Sequence, residues 1–172
     1  QFGRKAKNAI QKARKQVAAL IGAEPDEILF TSGGTESNNT ILFGYSILIP
    51  NFEQHHVITS SIEHEAILAP CKELEKKGYK ITYLPVDEHG MIDPSEIANS
   101  ITSTTGLVSI MFANNEVGTI QPIKEISEIC KKYQIPLHTD AVQAVGKVPI
   151  NVKELGVDAL SVSSHKINGP KG

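Results

Sequence analysis

The stretch 107–141, LVSIMFANNEVGTIQPIKEISEICKKYQIPLHTDA, holds a complete structural unit. Leu107 to Ala113 is a continuous apolar run and reads as a buried strand. Asn114-Asn115-Glu116 breaks it, Pro122 opens a helix through about Tyr133, and Pro136 to Ala141 forms the next strand. A strand, a crossing helix and a second buried strand make a parallel pair, because a tight hairpin cannot join parallel strands.

The same alternation extends in both directions. Toward the N-terminus, Ile81 to Val86 and Val57-Ile58-Thr59 read as strands, and His64 to about Lys77 as a helix that Pro70 is expected to kink or restart. Asp93-Pro94-Ser95-Glu96 combines an N-cap, a first-turn proline and a capping-box acid, predicting a short helix. Ile28-Leu29-Phe30 reads as another strand, followed by a helix from about Glu36 to Leu48. Phe2, Ala6, Ile10, Ala13, Val17, Leu20 and Ile21 recur at helical spacing. Toward the C-terminus, Ala159 to Ser163 is a last strand. The chain is therefore expected to be α/β, a mostly parallel sheet flanked by helices. Periodicity does not supply the strand order.

Composition narrows the function classes. The 172 residues suffice for one domain with a substantial core, and 40% hydrophobic with 21% charged is the balance of a soluble globular protein. A formal net charge of -2 gives no reason to expect nucleic-acid binding, and the basic residues from Arg4 to Lys15 read as a solvated helix face. No apolar run is long enough to span a membrane. Cys71 and Cys130 make no disulfide framework and fit a reducing, cytoplasmic compartment. Their helical spacing puts both thiols on buried faces. The chain opens on Gln1 without a starting Met and ends at Gly172 within a Gly-Pro-Lys-Gly turn, so a segment of a longer protein is expected.

The polar residues that stand out fall at strand ends, where open α/β sheets collect ligands. Ser32-Gly33-Gly34-Thr35 opens a helix, where backbone N–H groups favour an anion. His64 follows the second strand; it could stack on a flat ring, move a proton or simply cap its helix. Asn115 follows the long apolar strand. Asp140 ends a buried strand, where a carboxylate needs a partner, and Gln143 lies just beyond. Ser163, His165 and Lys166 end the last strand, and a lysine used for imine chemistry is expected to be partly buried beside other cations. Singly, each pattern has an ordinary explanation. Together they offer an anion cradle, a flat-ring partner, a carboxylate and an imine-forming amine, the set that pyridoxal phosphate (PLP) requires. No Gly-x-Gly-x-x-Gly follows a strand and no Walker loop is present. No metal is expected.

Phe30 to Asn39 resembles the phosphate-loop motif of the cysteine desulfurases, within the class V aminotransferase group. Glu63-His64-Glu65-Ala66, Asn114 to Gly118, His138 to Gln143 and His165 to Gly172 resemble that family's later motifs in the same order. The resemblance implies the PLP-dependent transferase fold of type I. It implies that residues 1–172 are the PLP-binding large domain without the N-terminal arm and the C-terminal small domain. Lys166 would carry PLP as a Schiff base and shuttle protons. Gly34, Thr35, Ser163 and His165 would bind its phosphate. His64 would stack on the ring and assist proton transfer, and Asp140 would keep the ring nitrogen protonated. Gln143 and Asn115 would contact the phenolic oxygen. The implied reaction removes sulfur from L-cysteine, giving L-alanine and an enzyme persulfide for iron–sulfur cluster assembly or thiolation. Its partners would be a second copy of the chain in a homodimer and a sulfur-acceptor protein such as an iron–sulfur scaffold. The mobile nucleophilic cysteine would lie outside the chain, and the isolated fragment would be inactive. Selenocysteine lyase, a class V aminotransferase or a non-catalytic PLP-fold protein are the alternatives. One departure is Ser164, where many relatives carry Gly; Ser fits there unless the backbone needs positive φ.

Overall fold

A computed structural model describes residues 2–48 and 55–171. Gln1, Gly172 and the Phe2 side chain, which figure in the readings above, lie outside what is described. The elements are helices α1 (Phe2–Ile21), α2 (Gly34–Leu48), α3 (Glu65–Lys76), α4 (Pro94–Ser100), α5 (Ile123–Tyr133) and α6 (Val152–Leu155). The strands are β1 (His56–Ser60), β2 (Lys80–Leu84), β3 (Thr105–Ser109), β4 (Leu137–Asp140) and β5 (Ala159–Ser161).

The strands form one sheet in the order β2-β1-β3-β4-β5, and every pairing is parallel. All five carboxyl ends therefore lie along one edge. The chain reverses direction across the sheet between β1 and β3, which opens a crevice at that edge.

The three central strands, β1, β3 and β4, are buried on both faces, as expected where crossover helices cover a parallel sheet, while the edge strands β2 and β5 are partly exposed. Neighbouring residues serve opposite layers. Val57 and Leu107 pack with Leu42, Ile67, Cys71 and Leu74 under α2 and α3. Ile58 and Val108 pack with Ile97, Ile123, Ile126 and Cys130 under α4 and α5. Two buried histidines stitch strands together. His138 on β4 bonds Ser109 of β3 at 2.9 Å through Nδ1 and Ser161 of β5 at 2.9 Å through Nε2. His56 on β1 does the same with Thr105 and Thr82 at 2.8 Å each.

Several elements depart from expectation. Ile28-Leu29-Phe30 is not a strand: it runs extended without a sheet neighbour, with Leu29 71% and Phe30 47% exposed. An apolar groove of about 490 Å³, bounded by this segment, α1 and β5, separates it from the sheet. The α1 stripe is also largely bare, with Ile10 and Leu20 about half exposed. α3 runs uninterrupted through Pro70, because Ile67, Cys71 and Leu74 anchor both sides of that turn in the core. β3 ends at Ser109 rather than Ala113, although Ile110 and Phe112 still donate to the His138 and Asp140 carbonyls.

Burial pushes His138 down to about 3. An unfolded imidazole takes a proton near 6.5. Below that pH the unfolded chain binds a proton that the folded chain refuses, so stability is full above it and falls as pH drops. The loss is about 1.4 kcal/mol per pH unit well below 6.5. Urea unfolding from pH 7 to 5 is expected to show a shallower pH dependence in His138→Gln than in the wild type; parallel curves would contradict this burial.

Candidate active site

The crevice at the carboxyl edge contains a cavity of about 250 Å³. Gly34, Thr35, His64, Asn115, Asp140, Gln143, Ser163, His165 and Lys166, the complete set of site residues expected from sequence, all line it. They arrive from five directions: the start of α2 and the segments following β1, β3, β4 and β5.

The start of α2 forms one wall. The Thr31 hydroxyl bonds Ser37 Oγ at 2.8 Å and donates to the Gly33 carbonyl at 3.1 Å, folding the turn back on the first helical residues. The opening N–H groups of a helix have no intrahelical acceptor and favour an anion. Gly34 lies so close to the opposite wall that a Cβ would come 2.9 Å from Val142 Cγ2 and 3.6 Å from Ser163 Cβ. Across from it, Ser163 Oγ and His165 Nδ1 are 2.8 Å apart.

Asp140 is nearly buried at the end of β4. Its two oxygens accept separate bonds, from Asn38 Nδ2 at 2.7 Å and from Val142 N–H at 3.0 Å. Asn38 was not among the expected site residues. Its signal is positional: it lies one helical turn beyond Gly34 and so shares its face of α2. Asn38 is buried, lines the cavity, and its Oδ1 has no partner among the described residues.

His64 is both a site residue and a helix cap. It precedes α3, and its Nδ1 accepts the Ala66 N–H at 3.0 Å. An Nδ1 that accepts cannot carry the proton, so the neutral ring carries it on Nε2 and presents a donor there. Gln143 Oε1 accepts from Lys147 Nζ at 2.8 Å, leaving the amide NH₂ as its donor end.

Lys166 lies in a short 3₁₀ turn, Ser164–Ile167, and its side chain is exposed. That corrects the expectation of partial burial beside cations, since the turn that carries Lys166 is itself exposed at Ser164 and His165. Ser164 is not among the residues with positive φ, so a side chain is accommodated there, and its hydroxyl donates to the Pro170 carbonyl.

A sequence profile of the family described as aminotransferase class-V matches residues 1–172. The chain belongs to the class V aminotransferase family. Within that family it is 55% identical over 171 residues to cysteine desulfurase IscS of Dictyoglomus turgidum, covering 99% of this chain and 43% of the relative. It is 57% identical over 173 residues to the Methanosarcina thermophila IscS, covering 100% and 42%. Among solved structures, a NifS-like protein superposes with a TM-score of 0.96 at 44% identity, covering 100% of this chain and 47% of that one. A structure described as SspA in complex with cysteine also gives 0.96 at 43% identity, covering 99% and 49%. The chain thus spans somewhat under half the length of the relatives it matches. Its fold is the type I fold of PLP-dependent transferases.

PLP is the cofactor of this family, and the cavity suits it. The Gly34 wall comes so near Val142 and Ser163 that any side chain there would force the two sides of the cavity apart, and Thr35, Ser163 and His165 could offer hydroxyl and imidazole groups to a phosphate. Asp140 could offer a fixed carboxylate to a protonated ring nitrogen, and Lys166 an amine to the aldehyde.

Val142 is branched at Cβ and cannot swing freely aside. Gly34→Ala is therefore expected to weaken PLP binding by about tenfold, the effect of roughly 1.4 kcal/mol of overpacking. Val142→Ala in the same chain should restore most of it. Fluorescence titration with PLP measures both, and unchanged affinity in Gly34→Ala would show that the close approach is unimportant.

Proposed function

We propose that this chain is the PLP-binding large-domain part of a longer protein, a cysteine desulfurase that converts L-cysteine to L-alanine and hands the sulfur to an enzyme thiol. The observation that carries the reading is the convergence of Lys166, Asp140 and the α2 N-terminus on one cavity. The whole-length similarity to cysteine desulfurases supports it. A binding-only descendant would have no chemical use for both Lys166 and Asp140.

When bound, PLP supplies an aldehyde that takes the substrate amine and a ring that withdraws electrons from the substrate's α-carbon. The chain's own residues would hold and orient it. Thr35, Ser163, His165 and the first N–H groups of α2 would hold the phosphate. Asp140, kept in place by Asn38 and Val142, would keep the ring nitrogen protonated. Lys166 Nζ would take the aldehyde and, once the substrate amine has displaced it, would move a proton at the substrate's α-carbon. His64 would cover the ring face and donate from Nε2, while Gln143 and Asn115 would orient the ring through its phenolic oxygen.

In the overall change an enzyme thiolate attacks the substrate's sulfur, an S–S bond forms as the C–S bond breaks, and the electron pair left on carbon takes a proton, the net hydrogen coming from the enzyme thiol, to become alanine's methyl group. The accepting thiol is neither cysteine of this chain. Both are buried, and burial pushes each up to about 12, so neither offers an accessible thiolate. The thiol, the C-terminal small domain and the N-terminal arm belong to the remainder of the protein, so the 172-residue chain alone is an inactive piece. The full-length protein acts as a cytoplasmic homodimer and delivers sulfur to an acceptor such as an iron–sulfur scaffold. Two unpaired thiols, and no helix among the described residues long and apolar enough to cross a membrane, accord with that setting.

The full-length protein with PLP and L-cysteine is expected to release alanine over many turnovers. Asp140→Asn should keep cofactor yet lose on the order of 10² in kcat, the scale of a removed transition-state charge. Absence of alanine in the wild type, or near-normal turnover in the variant, would overturn the proposal.

A further inference from the structure

Glu63 is the most deeply buried acid in the site region and has no part in the chemistry above. It is 5% exposed and lies in the turn between β1 and His64. Its Oε1 accepts the hydroxyl of Ser60, the last residue of β1, at 2.7 Å, and the N–H of Met111, just past β3, at 2.8 Å. Met111 itself lines the cofactor cavity. The carboxyl therefore spans the β1–β3 crevice, joining the turn that carries His64 to the cavity wall opposite. A second bond supports the same turn, from Asn114 Nδ2 to the Ile62 carbonyl at 3.0 Å.

We propose that Glu63 is a positioning residue, a neutral carboxyl clamp that holds the His64 turn against the end of β3 and so fixes His64 over the cofactor cavity. Among the described residues no cation partners it. Its Oε2 has no hydrogen-bond partner among the described residues, an arrangement tolerable for a neutral acid and costly for an anion. Burial pushes the carboxyl up to about 8, and the hydrogen bonds from Ser60 and Met111 offset this only in part. The titratable group whose field reaches it is Asp140 at the end of β4, which raises it further, while the charge of an ionised Glu63 would in turn raise Cys71 on α3. Its neutrality also spares Asp140 a second buried negative charge, and with it a competitor for the ring nitrogen's proton.

The clamp needs an acceptor at Oε1 and no charge. Glutamine meets both requirements; alanine and aspartate do not, the latter being one methylene short. This inference rests on the PLP reading of the cavity for its activity arm alone. In the full-length holoenzyme, Glu63→Ala is expected to lose roughly 10- to 100-fold in kcat, the cost of a misplaced site group, with little change in KM. Glu63→Gln is expected to recover most of that loss. Should Glu63→Ala not fold, Glu63→Asp takes its place under the same criterion.

The second arm needs no turnover. A folded-state value above the unfolded one means stability is full below about 4.5 and is lost as pH rises through about 8. The thermal midpoint of the cofactor-free protein should therefore fall between pH 5 and 8.5 more steeply in the wild type than in Glu63→Gln. A Gln variant as impaired as the Ala or Asp variant, or equal pH slopes in wild type and Gln, would overturn the clamp. Loss of desulfuration in the wild type would instead count against the functional reading and leave the pH slopes to decide the clamp.

Discussion

A carboxylate at the end of a buried strand must be given donors, and the way Asp140 receives them organises the site. One oxygen takes the Val142 N–H from its own chain turn; the other takes Nδ2 of Asn38, 102 residues earlier. That second bond ties the second turn of α2 to the carboxyl end of β4. Gly34 and Thr35 are thereby held opposite Ser163 and His165, and the missing Cβ of Gly34 lets the two walls meet. An anion cradle and a carboxylate that would otherwise be separate features become two ends of one cavity.

The parallel sheet supplies the remaining constraint. With every carboxyl end on one edge, the segments after β1, β3, β4 and β5 have to emerge together. The buried histidines lock this arrangement from within. His138 spans three strands directly beneath the Asp140 end of β4, so that end keeps its depth relative to β3 and β5. A scaffold that holds its strand ends this firmly can carry its chemistry on turns.

What was legible in the sequence follows from the same physics. Strands buried on both faces read as apolar runs, and their polar ends stand out because burial elsewhere would be costly. That is why polar residues at strand ends could be singled out from sequence, and the nine expected at the site line one cavity. Ile28 to Phe30 misled because its apolar content is that of a strand, while strand status needs a hydrogen-bonded neighbour that composition does not reveal. Lys166 misled in the other sense, its chemistry suggesting enclosure, whereas the turn that carries it is exposed. Asn38 and Glu63 were invisible as site residues because their roles lie in contacts with Asp140 and Met111, far away in sequence.

The proposed chemistry depends on Lys166 taking the cofactor's aldehyde in the cavity that Asp140 also lines. Borohydride reduction of the PLP-loaded full-length protein, followed by peptide mapping, reads this out. A single phosphopyridoxyl label on Lys166 is expected. A label on Lys147, which bonds Gln143 at the cavity's edge, or on Lys171, would contradict it.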